Sequence, residues 1–267
     1  MKKIFTLLAA GFLAFGSFAQ DDDFKKYRFG LKLDPSLNWL TPDNKKKFES
    51  NGVAAGFGFG LQTEFALKSN ISFCVGAGMS FEGGKMNFYP GTSADSTYFI
   101  LNGDEELQSW DDAASLTTAG NSVYSLNNRR YKVNYVYIPV ALKMKTKEIG
   151  MMTYFGQFGL DIKIKTRARA NDNAKTILTG NSSDFTDINI DSGVQPLNLG
   201  INIGGGSEFN LSGTTSLFAS VSYVYGLTNV LKKNDNTLAK QTGLATFDSI
   251  EQKAAQHGVR LSLGILF

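Results

Sequence analysis

The sequence predicts an all-β fold, an eight-stranded antiparallel up-and-down transmembrane β-barrel with short periplasmic turns and long extracellular loops. Three observations lead to this prediction. Apolar side chains recur at every second position in eight segments, which is the period of a strand with one apolar face. The connections between the segments alternate between short and long. The face opposite the apolar one is rich in glycine, which suits the inside of a narrow barrel.

The eight strands are predicted from this period of two. The second is the clearest, since every second residue from Val53 to Leu67 except Thr63 is apolar. The fourth is predicted to change phase at Pro139, where a β-bulge would accommodate the missing backbone donor, so that Tyr131, Tyr135 and Tyr137 are assigned to the apolar face. The predicted strands are 27–33, 52–67, 71–82, 131–145, 151–169, 197–210, 215–230 and 257–267.

The connections place the two ends of the barrel. Those after the second, fourth and sixth strands are short, at 68–70, 146–150 and 211–214. Those after the odd-numbered strands are long, and the longest is 83–130. Alternate connections of an up-and-down barrel emerge at the same end, so one rim carries tight turns and the other carries loops. An even number of strands puts both termini at the turn end.

The rival fold is a soluble barrel of the lipocalin kind, with its apolar side chains inside. Glycine decides against it, because glycine on a solvent-facing strand lowers β-propensity without gain, whereas inside an eight-stranded barrel it makes room for other side chains. The opposite face carries Leu, Val, Ile, Phe and Tyr in long series, as lipid requires. The glycines of the polar face are Gly56, Gly58, Gly60, Gly76, Gly78, Gly200, Gly204 and Gly206.

The N-terminus predicts export. Lys2 and Lys3 precede a twelve-residue apolar region at 4–15, and Ser17 and Ala19 then form a small-x-small cleavage site. No cysteine follows, so a lipoprotein is not expected. We therefore predict a signal peptide at 1–19 and one outer-membrane barrel domain at 20–267, located in the cell outer membrane.

Composition excludes several functions. Removal of Lys2 and Lys3 takes the 27 basic residues to 25 against 24 acidic ones, a net charge of +1 that suggests no nucleic-acid partner. One cysteine and one histidine cannot build a zinc site, and no metal or cofactor is predicted. His257 falls in the outward phase whereas Ser222 and Ser262 point inward, so the chain is predicted not to be an enzyme.

Charged residues on the inner face form the candidate site. Buried charges must pair, because removing them from water is costly. We interpret them as an ion-pair network that plugs the barrel, and a proton or ion path is the alternative. Barrel closure is predicted to bring Arg260 beside Arg28 and Lys32, and Glu64 and Glu208 are the expected counter-charges of this positive neighbourhood. The network comprises Arg28, Lys32, Glu64, Glu208 and Arg260 toward the turns, and Glu82, Asp161, Lys163, Lys165 and Arg167 toward the loops.

The long loops carry two charged groups. Asp104, Glu105 and Glu106, with Asp111 and Asp112 further on, could hold a cation, but their spacing matches no EF-hand and we interpret them as a solvated acidic loop. Lysines at 45–47 and 232–233 could meet anionic lipopolysaccharide or simply favour solubility. Segments 98–101 and 123–126 are expected to extend strands above the membrane.

Two segments support a family resemblance. The last strand, with Leu263, Ile265 and the terminal Phe267 on one face, resembles the closing strand of bacterial outer-membrane barrels, which implies recognition by the barrel-insertion machinery. The run from Tyr135 to Lys143 resembles a stretch of the PorT-like outer-membrane β-barrel family, although Val140 stands where leucine is commoner. The founding member of that family is tied to protein secretion across the outer membrane.

Three functions remain open from the sequence. The first is a non-enzymatic envelope protein that acts through its extracellular loops or partners, in envelope integrity or surface interaction. The second, implied by the resemblance, is an accessory component of a protein secretion or uptake machine. The third is a small diffusion channel. The expected partners are outer-membrane lipid and lipopolysaccharide, the insertion machinery during biogenesis, and in the second case a protein complex.

Overall fold

The computed structural model describes residues 27–44, 48–88, 96–110, 120–177, 180–212, 215–241 and 247–267. The predicted signal peptide, the lysines at 45–47 and the acidic pair at 111–112 lie outside these residues. No helix in the described ranges is long and apolar enough to cross a membrane. The strands are β1 Tyr27–Leu33, β2 Ser36–Pro42, β3 Phe48–Ser50, β4 Ala54–Lys68, β5 Ile71–Phe88, β6 Thr97–Leu101, β7 Leu107–Gln108, β8 Ser122–Lys145, β9 Met152–Thr176, β10 Ser182–Asn189, β11 Leu197–Ser212, β12 Thr215–Gly226, β13 Asn234–Gln241, β14 Phe247–Glu251 and β15 Ala254–Leu266.

Eight of these strands close into an antiparallel barrel. Around the ring the order is β1, β4, β5, β8, β9, β11, β12 and β15, and β15 pairs back onto β1. The predicted eight-stranded up-and-down barrel is confirmed. The first strand is longer than predicted, because β2 continues β1 and also pairs with β15 and β4. Asp34 bridges the two halves by exchanging backbone hydrogen bonds of 2.8 and 2.9 Å with Gly58, so Pro35 does not end the strand.

The apolar face points outward. The exposed fraction is 61% for Leu61, 54% for Leu31 and 53% for Phe158. On the opposite face of the same strands, Lys32, Glu64 and Asp161 are buried. A soluble barrel would bury these leucines, so the lipocalin-like alternative is excluded. Inside, glycine makes room for larger neighbours: a Cβ on Gly264 would clash with the ring of Phe218, which points into the lumen.

In the fourth barrel strand, β8, the residues that face inward differ from the prediction. Pro139 pairs in register with Asp161, and no bulge lies there. The irregularity lies instead where Asn134 and Tyr135 face Arg167 and Lys165, which leaves Thr166 of β9 unpaired. Alternate residues from Tyr131 to Lys145 therefore share one face throughout, and it is the inner one. The tyrosines predicted to face lipid are buried in the lumen.

The bulge at Thr166 also changes the position of Arg167, which was predicted to face the lumen. The extra residue reverses the phase of β9, so that Arg167 is exposed and pairs with Asp187 at 2.9 Å while Ala168 and Ala170 turn inward. Arg167 therefore does not belong to the lumen. Lys165, just before the bulge, stays largely covered and lies within hydrogen-bonding distance of the Asp191 and Val194 carbonyls.

We call the exposed apolar side chains of the outer face, such as Leu31, Leu61 and Phe158, the lipid-facing belt. At the loop end, three barrel strands extend far beyond this belt. β5 continues to Phe88, β8 begins at Ser122 and β9 runs to Thr176. Most of the described residues in the loop predicted at 83–130 are therefore in strands. The expected extension at 123–126 is confirmed as part of β8. Residues 98–101 instead belong to the separate strand β6, which pairs with β8.

These extensions and the shorter strands enclose a hydrophobic cluster that we call the loop-end core. This core fills the barrel above the belt. Because apolar side chains are buried there, the inner face of β8 carries Tyr131 and Tyr135 at this level. The loop-end core includes Met86, Phe88, Tyr135 and Ala170 from barrel strands, and Phe48, Phe99, Phe185 and Leu238 from the strands around them.

Candidate functional site

Five charged side chains meet inside the barrel near its turn end. We call them the turn-end cluster: Arg28, Glu64, Lys143, Lys145 and Glu208. Arg28 Nη2 lies 3.0 Å from Glu64 Oε2 and 2.7 Å from Glu208 Oε2. Glu64 and Glu208 come from β4 and β11, which stand on opposite sides of the eight-strand ring. The cations therefore tie opposite walls of the barrel together.

Lys143 lies at the centre of this cluster. Its ammonium is 3.0 Å from Glu64 and 3.1 Å from Glu208, and its side chain is 1% exposed. Lys145 pairs with both carboxylates as well. Three cations thus face two carboxylates, an excess of one positive charge. The ring of Phe155, 4.4 Å from the Lys143 ammonium, offsets part of it through a cation–π contact.

A second group of polar side chains fills the lumen above the first. We call it the central cluster: Lys32, Asp34, Glu82, Tyr137, Asp161, Lys163, Asn202, Gln256 and Arg260. Arg260 Nη2 lies 2.8 Å from Asp161 Oδ2, and Lys163 Nζ lies 2.6 Å from Glu82 Oε2. Lys32 pairs with Asp34 at 2.8 Å. Three cations here match three carboxylates.

Neutral side chains complete the central cluster. The hydroxyl of Tyr137 accepts hydrogen bonds from Arg260 at 2.6 Å and from Lys32 at 3.3 Å. Asn202 donates to Asp161 at 2.6 Å, and Gln256 donates to Glu82 at 2.5 Å. Each of these donors satisfies a carboxylate that would otherwise be buried without enough partners.

Glu64 and Glu208 are the counter-charges predicted for the neighbourhood of Arg28, Lys32 and Arg260. They pair with Arg28 but not with Arg260. Arg260 pairs with Asp161 and, at 3.9 Å, with Glu82, whereas Glu64 and Glu208 bind Arg28, Lys143 and Lys145. The strands of a barrel are tilted and staggered, so residues at matching positions along the sequence lie at different heights inside. Four further predicted lumen residues, Lys32, Glu82, Asp161 and Lys163, lie in the central cluster with Arg260.

The turn-end and central clusters leave little space between them. A cavity of about 30 Å³ separates them, bordered by Gln62, Cys74, Gln157 and Ser262. That volume has room for ordered water but not for a continuous aqueous channel. Within the described residues, the membrane-spanning interior is therefore filled by side chains.

The loop-end core contains one further ion pair. Arg129 makes a bidentate contact with Asp172, at 2.8 and 2.6 Å, and its side chain is 1% exposed. Burial alone would lower the pKa of Arg129, but the adjacent Asp172 carboxylate raises that pKa above its ordinary value. The pair stays ionised within the apolar cluster, and neither residue was singled out from the sequence.

Lys143, Lys145 and Tyr137 were not predicted to face the lumen, although strict alternation along β8 places all three inside. Lys143 and Lys145 alternate with the apolar Leu142 and Met144, which are 40% and 54% exposed, so strict period-two phase places the lysines inside. The same phase, carried back through Pro139, places Tyr137 inside too.

The residues considered for catalysis and for cation binding lie apart. His257 lies on the outer face at the loop end, with its ring 4.7 Å from Tyr225 and 6.3 Å from Trp39, while Ser222 and Ser262 are buried on the inner face. The turn that begins at Asp104 is exposed. The described part of the chain contains no group of three acidic, His or Cys residues placed to hold a metal ion.

Comparison with known proteins gives one family and several structural likenesses. A family described as "Outer membrane protein beta-barrel domain" matches residues 18–232. Neisserial surface protein A is 15% identical with a TM-score of 0.39, over 89% of this chain and 95% of that one. OprG from Pseudomonas aeruginosa is 9% identical with a TM-score of 0.45, over 91% and 97%. A major outer membrane protein from Thermus thermophilus is 11% identical with a TM-score of 0.41, over 91% and 100%. No curated protein matches the sequence.

Proposed function

Because the chain belongs to the outer membrane protein beta-barrel domain family, we propose that it is a non-enzymatic outer-membrane protein with a plugged lumen. It acts through its extracellular loop end, in envelope integrity or surface interaction. The observation that carries this proposal is the stacking of the turn-end cluster, the central cluster and the loop-end core along one barrel. The gap between the first two is about 30 Å³.

The energetics of the lumen favour a plug over a pore. Breaking one buried ion pair by removing a partner costs about 3–5 kcal/mol. A hydrated ion would have to separate several such pairs in the turn-end and central clusters, and then cross the apolar loop-end core. The same network joins opposite walls, which suits a role in stiffening the barrel.

The loop end supports the second half of the proposal. Strands β3, β6, β7, β10, β13 and β14 all lie there and build an ordered region around the loop-end core. The turn end, in contrast, has only short connections such as Ser69–Asn70 between β4 and β5. A surface for partners is therefore proposed at the loop end.

Conductance tests the plug. The purified barrel is inserted into planar bilayers beside its Glu64→Ala and Arg260→Ala variants, with Lys68→Ala as a control for an exposed lysine at a turn. We expect no conductance steps from the parent or the control. Steady porin-like steps from the parent would contradict the plug, and steps from both lumen variants at unchanged folding would show that single contacts hold a pore closed.

The second candidate is an accessory component of a secretion or uptake machine. Its support is the PorT-like run from Tyr135 to Lys143, which in the barrel alternates between the lumen and the lipid-facing wall. An affinity pull-down from detergent-solubilised outer membranes separates the candidates. A stoichiometric large complex favours the accessory role, and an isolated barrel favours the envelope role.

Biogenesis is part of the proposal. We propose that residues 1–19 direct export and are cleaved, and that the insertion machinery recognises the face carrying Leu263, Ile265 and Phe267. Leu263 and Phe267 are 42% and 52% exposed, so this face is open to a partner. Phe267 also donates a 2.7 Å backbone hydrogen bond to Phe29 at the seam where the barrel closes.

A further inference from the structure

A polar groove lies on the outer wall of the barrel, at the level where the wall passes above its lipid-facing belt. It has a volume of about 430 Å³ and is formed by β5, β8 and β9 with one side built by β10. We call it the outer-wall groove. The side chains that carry the argument are Lys85, Asn128, Arg130, Asn171, Asn173 and Asp184.

Strand register brings these side chains together. Lys85 faces Arg130 across the β5–β8 pair, and Arg130 faces Asn171 across the β8–β9 pair. Directly opposed residues of antiparallel strands hold their Cβ atoms about 5 Å apart. Arg129 and Asp172 also border the groove, but their side chains are buried and pair with each other. Lys85, Arg130 and Asn171, at the alternate positions of the same strands, therefore point outward.

The two cations of the outer-wall groove are not neutralised. No carboxylate of the described residues forms an ion pair with Lys85 or Arg130, although Arg167 and Arg169 on the same wall both pair with Asp187. The amides around them are fixed: Asn173 donates to Asp184 at 2.6 Å, and Asn171 accepts from Lys132 at 3.0 Å. The groove thus combines two available cations with ordered amide and carboxylate groups, which suit phosphate and sugar hydroxyls respectively.

The height of the groove indicates where such a ligand comes from. On β5, Lys85 follows the lipid-facing Phe81 by four residues, about 13 Å along a strand and roughly 10 Å along the membrane normal at the usual tilt. That distance lies at or just beyond the headgroup layer of a bilayer. A lipid whose phosphorylated headgroup protrudes from the outer leaflet would reach it while its acyl chains lie against the belt below.

We propose that the outer-wall groove binds the phosphorylated sugar headgroup of a glycolipid in the surrounding outer leaflet. Lys85 and Arg130 bind phosphate, and Asn128, Asn171 and Asn173 bind sugar hydroxyls. The inference rests on the proposed outer-membrane location, and it adds a lipid partner and the residues that select it.

The test uses the full barrel folded in detergent, with rough lipopolysaccharide carrying a phosphorylated core as probe. Binding is measured for the parent, for Lys85→Gln/Arg130→Gln, and for Lys68→Gln/Lys147→Gln, which removes the same charge from exposed positions at the turn end. Heat-modifiability on gels shows separately that each barrel is folded, so a failure of binding is distinguishable from a failure of the barrel proposal.

We expect the groove variant to bind about 100-fold more weakly, roughly tenfold for each charge-assisted contact, and the lysine control to bind within about twofold of the parent. Enzymatic removal of the core phosphates is expected to weaken binding to the parent by a similar factor. Equal binding by the groove variant and the parent would overturn the proposal.

Two competitors test the source and chemistry of the ligand. Vesicles of phosphatidylglycerol are expected to compete poorly, because they offer phosphate without the sugar; equal competition would overturn the sugar part of the proposal. The deacylated phosphorylated core is expected to compete more weakly than the intact lipid. Equal competition by this soluble core would overturn the assignment to a membrane lipid.

Discussion

Arg260 donates a hydrogen bond of 2.6 Å to the hydroxyl of Tyr137. The two residues come from β15 and β8, which stand four places apart in a ring of eight, so this contact crosses the full width of the barrel. Glu64 and Glu208 are related in the same way near the turn end, and Lys143 joins them. Contacts across the lumen therefore add to the backbone ladder that joins neighbouring strands.

Replacing Tyr137 by Phe should weaken the barrel without opening it. The hydroxyl serves two buried cations, Arg260 and Lys32, so its loss leaves both short of an acceptor while the ring still fills the space. We expect a loss of about 1–3 kcal/mol in the free energy of unfolding, measured by urea titration of the barrel in lipid vesicles. Tyr225→Phe, on the 51% exposed outer face, is the control and should change it by less than about 0.5 kcal/mol. Equal effects of the two changes would contradict a role for the lumen hydroxyl.

Within the turn-end cluster, removing an acid should cost more than removing a lysine. Glu64→Gln leaves three cations facing one carboxylate, whereas Lys143→Met leaves two cations facing two carboxylates. We expect about 3–5 kcal/mol of destabilisation for Glu64→Gln and clearly less for Lys143→Met. The same urea titration compares them, and a larger loss for Lys143→Met would show that its central position matters more than charge balance.

The buried pair Arg129–Asp172 should hold the loop end together. Asp172→Asn leaves a buried guanidinium without its counter-charge, so we expect about 3–5 kcal/mol of destabilisation and faster proteolysis confined to the loop end. Asp187→Asn is the matched control, because Asp187 pairs with Arg167 on the surface and its side chain is 60% exposed. Its effect should be at most about 1 kcal/mol. Similar proteolysis of the two variants would mean that the buried pair does not secure the loop end.

Strand order and the outward face could be predicted from the sequence, because period-two alternation and loop length are local signals. The partner of Arg260 could not, because it depends on the stagger between distant strands, and periodicity carries no information about stagger. Tyr137 was placed on the wrong face because aromatic residues were taken as lipid-facing. Its hydroxyl instead accepts a hydrogen bond from Arg260 in the central cluster. Nearer the loop end, the barrel interior becomes the loop-end core, which buries Tyr131 and Tyr135.

Glycine in the lumen should be needed where it faces a large side chain. A Cβ on Gly264 would clash with the backbone carbonyl of Leu31 and with the ring of Phe218. Gly264→Ala must therefore shift the β1 backbone as well as that ring and its contact with Lys143. We expect about 1–3 kcal/mol of destabilisation by urea titration. Gly103→Ala, where nothing lies within 4 Å of the added Cβ, is the control and should have little effect. A loss no larger than that of the control would mean that the strand tolerates the larger residue without repacking.

The terminal Phe267 should matter for assembly more than for final stability. Its backbone exchanges hydrogen bonds of 2.7 and 3.3 Å with Phe29 at the closing seam, and Phe267→Ala preserves both while removing the exposed ring. If the ring is recognised during insertion, the variant should reach the outer membrane in several-fold lower amount, yet unfold with nearly the same free energy once purified and refolded. Leu227→Ala, which removes an outward apolar side chain that is 50% exposed at the opposite end, controls for lost lipid contact. A variant that assembles normally in cells would show that the aromatic ring is not the signal, and one that unfolds far more easily would place its role in the seam itself.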